Sequence, residues 1–235
     1  MNLLLLTQAD FITPERVRID GRRHAHVSQI HRAALGDSLK VGLIDGLMGR
    51  GSIVRLDPQF LELDVILDQQ PPPQLPLTLL LALPRPKMLK RIFQSCATLG
   101  VDELILINSY RVEKSYWQTP FLAADKIHEH LVLGLEQGMA TQLPKISLQK
   151  RFKPFVEDLL PALVENKRAL VAHPYHAQPC PPPSTEPTVL AIGPEGGFIP
   201  YEIDKLGDTG FTPIEIGQRI LRVESAITAL CSKLF

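Results

Sequence analysis

Cysteine is scarce and scattered in this chain of 235 residues. Cys96, Cys180 and Cys231 stand far apart without Cys-x-x-Cys spacing, and an odd count does not make a disulfide framework. That usage suits a reducing compartment, so a cytoplasmic location is expected. Net charge is lacking as well: 25 Lys and Arg balance 25 Asp and Glu, and no long-range field announces a polyanionic partner. Long apolar runs are missing too. The opening Leu3-Leu4-Leu5-Leu6 is too short for the core of a signal peptide and follows no basic segment, and nothing approaches the roughly 20 apolar residues that cross a bilayer. Neither export nor a membrane is expected. Neither the dinucleotide fingerprint Gly-x-Gly-x-x-Gly nor a phosphate loop ending in Gly-Lys-Ser/Thr occurs, which disfavours nicotinamide and ATP enzymes. His24, His26 and His31 lie close in sequence, as do His173, His176 and Cys180, but neither set has standard zinc spacing and no metal is expected.

What is present is a hydrophobic fraction of 45%, enough for a substantial core. The sharpest change in composition is the run from Asp68 to Pro76, where Pro71, Pro72 and Pro73 forbid helix and favour a stiff extended spacer. A domain boundary is placed there, giving residues 1–70 and 71–235. Before it, Ser38 to Ile44, Gly51 to Leu56 and Phe60 to Leu67 read as short strands of a small β barrel or sheet, with turns at Asp45-Gly46 and Asp57-Pro58. After it, an apolar run at Leu77 to Leu83 precedes Met88, Leu89, Ile92, Phe93, Cys96 and Leu99 at helical spacing, closed by Gly100. The unit recurs as a strand at Glu103 to Ile107 and a helix over Phe121 to Gln137. Further strands are expected at Ala169 to Ala172, Val189 to Ile192 and Ile214 to Ile216, and a last helix from Val223. The prolines from Pro179 to Pro183 mark a surface loop. Such alternation predicts an α/β fold with a mostly parallel sheet, whose ligands bind beyond the carboxyl ends of the strands.

Two strand ends carry chemistry. Val189 to Ile192 runs into Gly193-Pro194-Glu195-Gly196-Gly197-Phe198, where glycines permit close approach of backbone to a ligand and Glu195 stands where that ligand would sit. Ile214-Glu215-Ile216 runs into Gly217-Gln218-Arg219-Ile220-Leu221-Arg222-Val223-Glu224-Ser225-Ala226, a loop with two rigid guanidinium forks before a helix. Glu224 in the first helical turn also complements the helix dipole. The lone Trp117 is expected to serve packing or an interface.

These two loops, with Ala172-His173-Pro174 on a third strand end, resemble the small-subunit ribosomal RNA uridine N3-methyltransferases of the SPOUT superfamily. That family carries a Gly-Pro-Glu-Gly-Gly loop followed by Gly-x-Arg-(Ile/Val)-Leu-Arg-x-Glu-(Ser/Thr)-Ala. The likeness extends through His26, Arg32, Gly36-Asp37 and Asp45-Gly46, through Leu99-Gly100-Val101 and Ser109-Tyr110-Arg111, to Glu136-Gln137. The chain departs from the pattern at Ser95 and Thr98, where the family has Lys and Glu, and at Gly138-Met139-Ala140-Thr141, which replaces a segment containing Gly-Arg.

The resemblance implies a PUA-like β barrel that helps capture RNA, followed by a SPOUT-type α/β domain with a C-terminal trefoil knot. It also implies a homodimer, S-adenosylmethionine (SAM) as methyl donor, and a uridine in the decoding region of small-subunit rRNA as target, free or in the small ribosomal subunit. The cofactor is expected at His173, Gly193, Pro194, Glu195, Gly196, Gly197, Ile216, Gly217, Ile220 and Leu221. The catalytic candidates are Arg222, to stabilise charge on the uracil oxygens or bind a flanking phosphate; Glu224, to position Arg222 or take the proton; and Glu195, the competing base. RNA contacts are expected from Arg16, Arg18, Arg22, Arg23, His26 and Arg32, from Arg85, Lys87, Lys90 and Arg91 as a second basic cluster, and from Arg111. Methylation of another base or of a ribose hydroxyl, and a non-catalytic RNA-binding role, are the alternatives.

Overall fold

A computed structural model describes residues 2–235. The chain divides into two compact units, one made of the chain up to Pro73 with Val132–Leu143, the other of Gln74–Leu131 and Pro144–Phe235. The division falls inside the proline-rich run. From sequence, residues 132–143 were expected in the second domain. They belong to the first because Glu136 accepts both Arg22 guanidinium nitrogens at 2.8 and 3.0 Å, Thr141 Oγ1 donates to Gly46 O at 2.7 Å, and Leu143 N–H donates to Asp45 Oδ1 at 2.9 Å.

The first unit is a six-stranded sheet of β1 (Leu4–Leu6), β2 (Phe11–Thr13), β3 (Arg16–Asp20), β4 (Ser38–Leu43), β5 (Met48–Leu56) and β6 (Phe60–Gln69), in the order β1-β4-β5-β6-β3-β2. Its pairs are antiparallel except β1 with β4. The predicted strands correspond to β4, β5 and β6, with β5 starting three residues earlier; β1, β2 and β3 were not anticipated. In β3 the alternation Arg16-Val17-Arg18-Ile19-Asp20 buries Val17 and Ile19 completely, and they join Val41, Ile53, Leu61 and Leu63 in the core. Its other face puts Arg16 opposite Asp64 and Arg18 opposite Glu62 on β6.

A buried ion pair anchors this unit. Arg23 grips Asp10 with two bonds of 2.6 and 2.7 Å and donates a third to Leu5 O, and the side chains are 20% and 10% exposed. Burial alone would raise the Asp10 carboxyl, but bonds from Arg23 and Thr7 outweigh it and hold it below its ordinary value of 3.8. A carboxylate depressed in the folded state adds stability that is complete above its unfolded value and disappears as pH falls through the folded one. Stability of this unit should therefore decline on acidification below about pH 4. Asp10→Asn should cost about 2 kcal/mol at neutral pH, by leaving the half-buried Arg23 without its carboxylate, and should flatten that acid decline in urea titrations. A variant with the unaltered acid slope would remove the pair from the account.

The second unit is a wholly parallel sheet of β7 (Leu75–Ala82), β8 (Val101–Ile107), β9 (Lys145–Gln149), β10 (Arg168–Ala172), β11 (Gln178–Pro179), β12 (Thr188–Ile192) and β13 (Thr212–Glu215), in the order β11-β13-β10-β12-β7-β8-β9. Buried on both faces, β7 and β12 show continuous apolar runs rather than alternation. The longer helices are α1 (Pro86–Leu99), α2 (Ala124–Gly138), which contributes residues to both units, α3 (Pro200–Asp208) and α4 (Val223–Leu234), with shorter helical turns over residues 152–164. In α1, Leu89, Ile92, Phe93 and Cys96 bury one face, Pro86 occupies the first turn, and Gly100 at φ 78° ends the helix. Helix α2 begins three residues later than predicted because Ala123 is extended, after a short 3₁₀ turn at Pro120–Leu122. From β7 the chain proceeds to β8 on one side, whereas from β12 it proceeds to β13 on the other. Strand order thus reverses between β7 and β12, and open parallel sheets bind ligands beyond the carboxyl ends of their strands near such a reversal. Among the described residues no helix is long and apolar enough to cross a membrane.

Candidate functional site

The carboxyl ends of β10, β12 and β13 enclose a cavity of about 380 Å³, within the range of small-molecule sites. Three strand-end loops build it: Ala172 to Tyr175, Gly193 to Phe198, and Ile214 to Gly217 continuing to Leu221. The structure thus brings to one cavity all ten residues named for the cofactor: His173, Gly193, Pro194, Glu195, Gly196, Gly197, Ile216, Gly217, Ile220 and Leu221. Val223, Ala226 and Leu230 of α4 add an apolar wall.

The glycine turn is closed by Gly197 N–H donating to Pro194 O at 2.7 Å, with Gly197 at φ 74°. Two neighbouring loops grip it. Glu195 Oε1 accepts the Arg85 backbone N–H at 3.1 Å, tying it to the loop after β7, and the Arg111 guanidinium after β8 donates to Gly196 O. On the third loop, His173 N–H donates to Ile214 O at 3.1 Å, and its ring meets Tyr175 edge-on at 5.7 Å. Burial, aided by nearby His176, pushes the His173 imidazole below its ordinary 6.5, so it stands neutral at pH 7. At the rim, Tyr175 and Ile220 are largely exposed.

The three catalytic candidates separate. Glu195 lines the cavity; Arg222 and Glu224 do not. Arg222 is the exposed N-cap of α4, and its carbonyl receives the Ala226 N–H at 2.8 Å, while Glu224 lies half-buried in the first turn. Of the two arginines in this loop, the one on the cavity wall is Arg219, which the sequence offered only as a second fork. Nothing in the sequence beyond its place three residues before Arg222 sets it apart.

The basic candidates also divide. Arg16, Arg18, Arg22 and Arg23 each face a carboxylate at 2.6 to 2.8 Å, so the N-terminal segment is not the uncompensated cationic patch that its sequence suggested. His26 is half-buried, and burial lowers its pKa. Arg32 is exposed at a left-handed φ of 51°. In the second unit Arg85, Lys87, Lys90 and Arg91 are exposed on the first turns of α1, with Lys90 Nζ 4.6 Å from the Phe121 ring centre. Arg111 belongs to the cavity. Trp117 donates its indole N–H to Asn108 Oδ1 at 2.8 Å, a packing role. Among the described residues no cluster of three or more His, Cys, Asp or Glu is placed to hold a metal.

Residues 70–235, well over half the chain, match the family described as RNA methyltransferase domain. The chain belongs to the RNA methyltransferase family. Curated relatives include ribosomal RNA small subunit methyltransferase E of Treponema pallidum, 26% identical over 99% of this chain and 90% of the relative. A protein of Borreliella burgdorferi named ribosomal RNA small subunit methyltransferase E 1 is 26% identical over 97% and 95%. Among solved structures, ribosomal RNA small subunit methyltransferase E of Neisseria gonorrhoeae bound to SAM shares the fold at TM-score 0.73 and 18% identity, covering 98% of this chain and 96% of that one. A Legionella pneumophila protein in complex with SAM does so at TM-score 0.72 and 24% identity, over 99% and 96%. This RNA methyltransferase therefore has small-subunit ribosomal RNA methyltransferases among its curated relatives.

Proposed function

We propose that the chain transfers a methyl group from SAM to N3 of a uridine in small-subunit ribosomal RNA, acting in the cytoplasm as a homodimer. The observation that carries the reading is the convergence of the two motif loops on one cavity. The cavity suits such a ligand: its floor is glycine, whose backbone can approach a polar nucleoside closely, and its walls are Ile214, Ile216, Leu221 and Leu230, against which an adenine can pack. The PUA-like barrel and the C-terminal knot belong to the same reading, supported by fold likeness to solved relatives over nearly their whole length.

Bound SAM supplies an electrophilic methyl group on a sulfonium. The chain must orient the acceptor, exclude water and manage a proton, because N3 of uracil is mostly protonated at neutral pH. Of the candidates, Glu195 lines the cavity and would accept that proton as the N3–carbon bond forms and the carbon–sulfur bond breaks, the thioether S-adenosylhomocysteine being the leaving group. Arg222 is exposed beside the cavity residues Leu221 and Val223, and in this reading its guanidinium would hold a uracil oxygen or a flanking phosphate. Arg85 and Lys87 support the same reading. Cations at the start of a helix oppose its dipole, so their place at the N-terminus of α1 makes more sense with a phosphate there.

The reading is tested by incubating the protein with SAM and under-methylated small subunits or free rRNA, then identifying the product nucleoside by mass spectrometry. N3-methyluridine is expected; a different methylated nucleoside, or none, would refute it. In the same assay Arg222→Ala should lower transfer about 10- to 100-fold, the worth of a charge-assisted hydrogen bond, with SAM affinity unchanged. Undiminished transfer would remove Arg222 from the mechanism.

A further inference from the structure

Glu202 lies on α3, in neither motif loop, and is only 2% exposed. A buried carboxylate is costly unless its oxygens are satisfied. Both are, by backbone N–H groups of two different strand-end loops. Oε2 accepts the Ile199 N–H at 3.0 Å and Oε1 accepts the Tyr110 N–H at 2.7 Å, 92 residues away. The first bond is what a glutamate in a helix's first turn ordinarily makes. The second is not required by the helix: it fastens the loop after β8 to the loop after β12.

What that fastening holds is the cofactor turn. Arg111 follows Tyr110 directly, and its guanidinium donates to Gly196 O. Gly196 leaves room for it, since a Cβ there would lie 2.9 Å from Arg111 Cδ. Glycine turns are intrinsically loose. Here the turn is pinned from outside, with Glu202 fixing the backbone from which Arg111 reaches.

We propose that Glu202 is a positioning residue for SAM: its carboxylate locks the Tyr110 and Ile199 backbones together, so that Arg111 holds the Gly193 to Gly197 turn in its binding shape. The proposal rests on the cavity being the SAM site. Its predicted signature is coupling. Measured calorimetrically with S-adenosylhomocysteine, Glu202→Gln and Arg111→Ala should each weaken binding about tenfold. The double variant should be little weaker than either alone, because both release one clamp. Additive losses, or unchanged affinity in folded Glu202→Gln, would overturn it.

Amide hydrogen exchange on the unaltered protein keeps the idea falsifiable if Glu202→Gln does not fold. Adding S-adenosylhomocysteine should slow the Tyr110 amide along with the Gly197 amide. Slowing at Gly197 alone would sink the clamp and leave the SAM site standing, whereas no binding to the unaltered protein would sink the functional reading itself.

Discussion

Gly49→Ala should unfold the first unit under conditions where the unaltered protein is stable. A Cβ on Gly49 would lie 1.8 Å from Ile66 O and 2.9 Å from Leu67 Cα, both backbone atoms of the neighbouring strand, where no side-chain rotation brings relief. Gly49 sits beside the register shift between β5 and β6, so the bulge there depends on a residue without a side chain. Relief requires parting the central strand pair of the sheet, and a loss of about 4 kcal/mol or more is expected, at the exceptional end for single substitutions. Urea denaturation followed by circular dichroism measures it; a loss below about 1 kcal/mol would contradict this account of the bulge.

Gly193→Ala should leave the protein folded and cripple cofactor binding. The added methyl would stand 2.9 Å from Phe198 N and 3.2 Å from Gly197 C, so the turn must open to admit it. That turn floors the cavity and is closed by the Gly197-to-Pro194 bond, and a shift of a few tenths of an ångström displaces the groups that would face SAM. Affinity for S-adenosylhomocysteine should fall about 100-fold, equivalent to about 2.7 kcal/mol, with melting little changed. Equal affinity in calorimetry would mean that the turn does not touch the cofactor.

Much of the second unit was legible in the sequence because its central strands, β7 and β12, are buried on both faces. The runs at Leu77, Glu103, Ala169 and Val189 could hardly be anything but strands of a covered parallel sheet, and Gly100 closed α1 as its position suggested. Edge strand β9, Lys145–Gln149, went unnoticed since a half-exposed Lys-Ile-Ser-Leu-Gln has no apolar run. Helix α3 was missed although Pro200 and Glu202 carried first-turn signals.

The first unit shows why local sequence misleads about charge. Arginines spaced along Arg16-Val17-Arg18 look like a phosphate patch, but the same alternation makes a strand. Only the strand's register against β6, set by residues more than forty positions away, reveals Asp64 and Glu62 as their partners. The ligand loops were legible for the opposite reason: their glycines and charges are adjacent in sequence, and strand ends in a parallel sheet converge. Which arginine faces the cavity was not legible, because Arg219 and Arg222 differ by three residues of irregular backbone whose direction sequence does not encode.

The most direct test is a crystal of this protein grown with S-adenosylhomocysteine. The account requires its adenosine and homocysteine parts to lie between the Gly193 to Gly197 turn and the Ile216 to Leu221 loop, with the sulfur open toward Glu195. Density for the compound at any other place, or an empty cavity at saturating concentration, would contradict it.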